Sequence, residues 1–375
     1  MIPHPTKKGV GGPAKWLTKE AVAAKRKPDR AQPQGKRRCT NYGLAGGPDA
    51  KKNEEGVMSR VMLIAVMVLS AIVLVAQDNP YRQAPGWPQL PAGVKFGAVI
   101  SADTDAKGNI WVFHRADPTI LQFDQSGKLL KSFGTSMFVQ PHGMTIDRDG
   151  NLWVTDAQNK DGKGQQVFKL SPEGKVLLTL GKAGVAAEGP DTFNGPTDVV
   201  IAPNGDIFVS DGHVANANGR IMKFSKDGKF IKTWGKKGKG PGEMDTPHAI
   251  TIDSRGRLFV ADRGNSRVQI FDQDGKFIDQ WKQFGRPSGL FIDKNDVLYV
   301  VDSQSNAMLN PGFKRGLYVG SAKDGKVSAF VPFSEPDPNK NNNAGMEGVT
   351  ADSAGNVYVG ETTTQILKKF VRGRS

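Results

Sequence analysis

Among 375 residues there is a single cysteine, Cys39. It lies near the N-terminus, so the chain beyond residue 76 has neither a thiol ligand nor a disulfide, and a cysteine-built metal site or disulfide scaffold is excluded there. Histidine is nearly as scarce, with only His4, His114, His142, His213 and His248. The apolar run Val61–Ala76 is short of the ~20 residues that a membrane-spanning helix needs, and no long amphipathic helix is legible after it. A concentrated basic stripe is also missing. The formal charge of +14 is front-loaded, with 13 Lys/Arg against 5 Asp/Glu in residues 1–57 but 37 against 32 in residues 77–375. A sign-mixed surface of that kind excludes nucleic acid as the expected partner.

What the chain does have is turns and repetition. It carries 45 Gly and 23 Pro, and from Ala98 one unit recurs six times. The copies are AVISADTDAKGNIWVFH, QPHGMTIDRDGNLWVTD, GPTDVVIAPNGDIFVSD, TPHAITIDSRGRLFVAD, RPSGLFIDKNDVLYVVD and the more degenerate GMEGVTADSAGNVYVGE. Each reads as an apolar alternating stretch, a D-G or N-G type turn and a second strand, with two further short strands before the next copy. Alternation of period 2 punctuated by such turns is the signature of hairpins. Four strands per unit, at ~40–60 residues per unit, is the sequence form of a β-propeller. The fold class expected is all-β, a six-bladed propeller over residues 98–375.

Residues 1–57, rich in Lys, Arg, Pro and Gly, read as a disordered leader or the product of an upstream start assignment. Residues 58–76 read as a signal peptide or signal anchor, which places the propeller outside the cytoplasm, with membrane contact only through that segment if it is not cleaved. Residues 77–97 read as an extended lead-in. Because the last unit lacks an outer strand, Tyr81–Val94 is expected to supply one and close the ring. The polar run Pro336–Gly345 reads as a loop over one face or a long connection.

Equivalent positions of every blade point to the same place. The second residue of each copy opens the innermost strand, so Ile100, His142, Thr197, His248, Ser288 and Glu347 are expected to converge on the axis at one face. His142, His248 and Glu347 fall in alternate blades, and His with carboxylate around an open position is the pattern of catalytic zinc or a related divalent metal. A single channel histidine is more often a hydrogen-bonded structural residue; three coordinating side chains in equivalent slots argue for a metal. Arg115, His213 and Arg263 follow second-strand ends and should line the mouth of the same site. There the arginines can grip a carboxylate or a developing oxyanion, and His213 can move a proton. Asp156, Asp211, Asp262 and Asp302, one per blade, read as architecture, and Trp153, Phe208, Phe259, Tyr299 and Tyr358 as packing between blades.

The blocks IWVFHR, QPHGMTIDRDGNLWVTD, FNGPTDVVIAPNGDIFVSDG, GPGEMDTPHAITID and LFVADRGNSRVQIF resemble the NHL-repeat propeller and, more narrowly, the peptidyl-α-hydroxyglycine α-amidating lyase family. In that family a six-bladed propeller holds a catalytic zinc through three histidines and a structural calcium, and cleaves a peptidyl-α-hydroxyglycine to a peptide amide and glyoxylate. The resemblance implies zinc ligands at His142 and His248, with Glu347 at the third histidine position. It implies active-site arginines at Arg115 and Arg263, and His213 where the family has a catalytic tyrosine. A calcium site would use the backbone carbonyls of Ala102 and Met144, with Gly348 where the family has an aspartate. The functional expectation is an exported metal-dependent lyase acting on a peptide or small molecule. The alternatives are a non-catalytic propeller that binds a protein or ligand, and a metal-dependent, lactonase-like hydrolase.

Overall fold

The computed structural model describes residues 79–214, 217, 219–333 and 345–373. The leader, the apolar segment 58–76, Cys39 and most of the 336–345 insertion lie outside the described residues. Six four-stranded antiparallel sheets follow one another along the chain. The first blade comprises β2 (Val99–Thr104), β3 (Ile110–His114), β4 (Ile120–Phe123) and β5 (Leu129–Phe133). The second comprises β6 (Pro141–Ile146), β7 (Leu152–Lys160), β8 (Lys163–Leu170) and β9 (Val176–Leu180), and the third β10 (Pro196–Ile201), β11 (Ile207–Asp211), β12 (Arg220–Phe224) and β13 (Phe230–Trp234). The fourth holds β14 (Pro247–Ile252), β15 (Leu258–Asp262), β16 (Arg267–Phe271) and β17 (Phe277–Trp281), and the fifth β18 (Pro287–Ile292), β19 (Val297–Asp302), β20 (Gly316–Ser321) and β21 (Val327–Pro332).

The sixth blade is built from both ends of the described chain. Its strands β22 (Met346–Ala351), β23 (Val357–Glu361) and β24 (Ile366–Arg372) are completed by β1 (Tyr81–Gln83), which pairs antiparallel with β24. The ring is thus clasped by a strand of three residues, with Tyr81 buried in the core shared by blades five and six. The clasp covers an edge that would otherwise expose unpaired backbone groups. Among the described residues, the one helical element is a 3₁₀ turn at Arg263–Asn265, and no helix is long and apolar enough to cross a membrane.

The hydrophobic core is divided into six clusters, and each is shared by two neighbouring blades. The aromatic repeats fill these seams: Trp153, Phe208, Phe259, Tyr299 and Tyr358 are all buried. Several also cap the turn before them, as when Trp153 Nε1 donates to Asp147 at 3.0 Å and Tyr358 Oη donates to Asp352 at 3.0 Å. The strand-end aspartates have one repeated task. Asp156 accepts from the backbone N–H of Val139 and Gln140, Asp211 from Asn194, Asp262 from Asp245 and Asp302 from Arg286. Each carboxylate thus ties the exit of a second strand to the loop entering the first strand of its own blade. Buried backbone donors must find such partners.

Candidate metal centre

All six innermost strands break register near their first residues, between Val99/Ser101, Pro141/Met144, Pro196/Asp198, Pro247/Ile250, Pro287/Gly289 and Met346/Val349. A bulge bends its strand and re-aims the extra side chain. In every blade that irregularity falls at the second residue, and Ile100, His142, Thr197, His248, Ser288 and Glu347 all line one axial cavity of about 300 Å³.

The two channel histidines are fixed by the neighbouring blades. His142 Nδ1 lies 2.8 Å from the carbonyl of Thr197, and His248 Nδ1 lies 2.8 Å from the carbonyl of Ser288. Only an N–H can donate to a carbonyl, so both rings carry their proton on Nδ1 and keep a lone pair on Nε2. His142 Nε2 is buried and has no hydrogen-bond partner. An orphaned, buried lone pair is costly unless something fills it.

His213 completes the group. Gly212, at φ 139, turns the chain after β11, and the His213 N–H donates to Gly195 O at 3.1 Å. The passage is tight: a Cβ on Gly195 would stand 2.8 Å from His213 N. The imidazole then arrives over the channel, with ring centroids 4.8 Å from His142 and 5.1 Å from His248, while the latter two lie 4.5 Å apart. One potential ligand nitrogen from each ring lies within 4.8 Å of the other two. Burial, aided by nearby charge, drives all three below the ordinary imidazole range, His142 and His248 well below it and His213 to about 3. Three neutral imidazoles whose ring nitrogens lie this close together are a donor set suited to a borderline divalent cation such as zinc, and the partnerless His142 Nε2 marks where such an ion fits.

Glu347 stands outside this group. It lines the same cavity, yet its carboxylate faces Arg263, whose Nη1 is 3.7 Å away. Burial raises its pKa, while Arg263 and then Arg115 pull it down. The third imidazole is therefore supplied by the loop after β11, not by the equivalent slot of blade six. Slot equivalence alone points to Glu347; His213 lies on a loop that crosses back over the ring. Arg263 joins the two, because its Nη2 is 3.3 Å from His213 Nε2 while its Nη1 faces Glu347. It is buried, its Nε has no partner, and burial lowers its pKa to about 10. Arg115 is exposed at the rim, with Nε donating to Pro141 O at 3.1 Å. Asp262, the neighbour of Arg263, pairs with Arg267 at 2.7 Å instead.

The calcium expectation meets a different environment. The Met144 carbonyl accepts a hydrogen bond from Ser101 Oγ at 3.3 Å. At Gly348 a Cβ would lie 2.7 Å from Ser101 Cα and 2.9 Å from its nitrogen, so a carboxylate-bearing residue has no room there. Besides Glu347, two carboxylates line the cavity, Asp103 and Asp198, and they accept from the backbone N–H of Ile146 and Ile250 in the next blade. These residues do not fit a calcium site built on Ala102 and Met144.

Residues 244–271 match the model of the NHL repeat. The chain is a six-bladed β-propeller that carries an NHL repeat in its fourth blade. The propeller is similar to peptidyl-glycine alpha-amidating monooxygenase B of Xenopus laevis, at 37% identity over 219 residues, covering 50% of this chain and 24% of that protein. It is similar to peptidyl-alpha-hydroxyglycine alpha-amidating lyase 1 of Drosophila melanogaster at 33% over 211 residues, 47% of this chain and 37% of that one. It is also similar to human NHL repeat-containing protein 3, at 33% over 192 residues, 49% and 54% of the two chains. The matched regions span about a quarter of the monooxygenase and about half of NHL repeat-containing protein 3. Among solved structures, a gluconolactonase from Xanthomonas campestris superposes with a TM-score of 0.52 at 15% identity, over 74% of this chain and 87% of that one. Virginiamycin B lyase from Staphylococcus aureus gives 0.50 at 18%, over 78% and 88%. Both likenesses concern the propeller frame alone.

Proposed function

We propose that this NHL propeller is a metal-dependent lyase that cleaves the C–N bond of an N-acyl-α-hydroxyglycine, releasing an amide and glyoxylate. The observation that carries this reading is the convergence of His142, His213 and His248 beside Arg115 and Arg263, in a chain similar to amidating lyases over about half its length. His142, His213 and His248 would hold the cation, which as a Lewis acid would make a substrate hydroxyl easier to deprotonate. The Nδ1 hydrogen bonds of His142 and His248 to Thr197 and Ser288 keep their Nε2 lone pairs fixed on the axis. Arg115, open to solvent at the rim, binds the substrate carboxylate. In the net reaction the hydroxyl proton is transferred to the amide nitrogen as the C–N bond breaks and the carbinol carbon becomes the aldehyde of glyoxylate. We further propose that the protein acts outside the cytoplasm, exported or anchored through residues 58–76, on a peptide or small-molecule substrate and without nucleic acid.

The test is elemental analysis of the purified protein beside its His142→Ala/His248→Ala variant, followed by an assay of glyoxylate release. About one divalent ion per chain, lost in the variant, with glyoxylate formed only by the loaded protein, is the expected result. Metal without glyoxylate release overturns the lyase, and no metal after reconstitution overturns the site.

A further inference from the structure

His213 has one lone pair and two claimants. A neutral imidazole carries a proton on one nitrogen and a lone pair on the other. In this structure the His213 Nε2 lone pair receives the N–H of Arg263 Nη2 at 3.3 Å. A cation held by the three histidines needs that same lone pair. The alternative of ligation through Nδ1 changes nothing, because Nε2 would then carry the proton and could no longer accept from the guanidinium. The guanidinium and the metal ion therefore exclude one another on His213.

Arg263 is poorly placed to retreat into solvent, because it is buried. Its environment instead offers one carboxylate, Glu347, 3.7 Å from Nη1, a distance that leaves room for closer approach. Arg263 Nε has no partner at all, so the guanidinium is under-satisfied where it now stands. We propose that Arg263 competes with a metal ion for His213, and that Glu347 is the acceptor and counter-charge of Arg263 when the ion binds rather than a metal ligand. The inference rests on the three-histidine site but not on the lyase chemistry. Glu347 then offsets a positive charge that would otherwise face a dication across His213, and binding of the ion is coupled to a shift of Arg263 from imidazole to carboxylate.

The experiment is a double-mutant cycle read out as metal affinity, not activity. The full-length protein, Arg263→Met, Glu347→Gln and the double variant are titrated with zinc against a chromophoric chelator, and the cobalt-loaded forms are compared by visible absorption. Removing the competitor should tighten zinc binding by about tenfold, and removing the counter-charge should weaken it by about tenfold, as expected for one charge-assisted hydrogen bond. In the Arg263→Met background, Glu347→Gln should have no further effect, and the cobalt spectrum should not change on Glu347→Gln. If Arg263→Met does not fold, Arg263→Gln takes its place. A loss from Glu347→Gln that persists without Arg263, or a changed cobalt spectrum, makes Glu347 a ligand and overturns the proposal. An Arg263 variant with unaltered or weaker affinity overturns it too. If the unaltered protein binds no zinc, the metal site and this proposal fall together. Zinc binding without glyoxylate release removes the lyase and leaves this proposal to be decided by the cycle.

Discussion

Replacing His142 by leucine separates the cost of the site from its use. The substitution deletes one hydrogen bond, from Nδ1 to Thr197 O, worth about 0.5–1.5 kcal/mol. The carbonyl is not left bare, because Thr155 Oγ1 donates to it at 3.0 Å. The change also removes the buried, partnerless Nε2, an unsatisfied group that costs about 1–3 kcal/mol. Without metal, the leucine variant should be as stable as the unaltered chain or more stable by up to about 2 kcal/mol. In thermal unfolding that is a rise of zero to about 4 °C. With zinc at a thousand times its dissociation constant the order reverses, since the unaltered protein gains about 4 kcal/mol and the variant gains nothing. Scanning calorimetry in chelator and in zinc reads both terms. A variant that melts well below the unaltered protein in chelator would refute the argument that His142 is held at a cost for a ligand. An equal zinc shift in both proteins would refute it as well.

Three further predictions concern the frame. Asp198 lines the cavity, and burial pushes its carboxyl up to about 7. Its folded pKa lies above its unfolded value, so its stabilising contribution is complete below about pH 4 and is lost as pH rises through about 7, by at most about 4 kcal/mol. Asp198→Asn cannot titrate and should flatten the fall of melting temperature between those values; an unchanged slope counts against it. Tyr81→Ala empties a buried position in the strand that clasps the ring, with an expected loss of about 3 kcal/mol in denaturant unfolding, and a loss below 1 kcal/mol would show the clasp to be dispensable. Gly348→Asp forces a side chain against the Ser101 backbone, so the melting temperature should drop, corresponding to a loss of about 1–3 kcal/mol, with no recovery on adding calcium. Recovery would restore the calcium site that the geometry rejects.

The propeller was legible because its evidence is repeated. Each copy carries the same alternation and the same turn, and the aspartates and aromatics recur at fixed offsets, so one blade explains the rest. The second-position slot was legible for the same reason, and the structure brings His142 and His248 together there. Repetition is blind to whatever occurs once. His213 reaches the axis through the turn at Gly212, and no other blade has a glycine directly after its second strand. The sequence placed His213 at the mouth beside Arg263 but not within the imidazole group. The pairing of Glu347 with Arg263 joins blades six and four through side chains alone, a contact that no spacing along the chain announces. The bulges were also invisible, because alternation of apolar residues continues through a single displaced residue.

Those bulges have a consequence for how such a chain can change. By turning one residue per blade toward the cavity, they exempt five of the six positions from the volume matching that governs the core, Ile100 alone staying packed in the seam of blades one and two. Isoleucine, histidine, threonine, serine and glutamate all occupy that slot on otherwise alike strands. A substitution there alters the lining of the axis while the hydrophobic seams stay as they are. The ring works as a socket board, in which the chemistry at the axis can be rewired one blade at a time without melting the board.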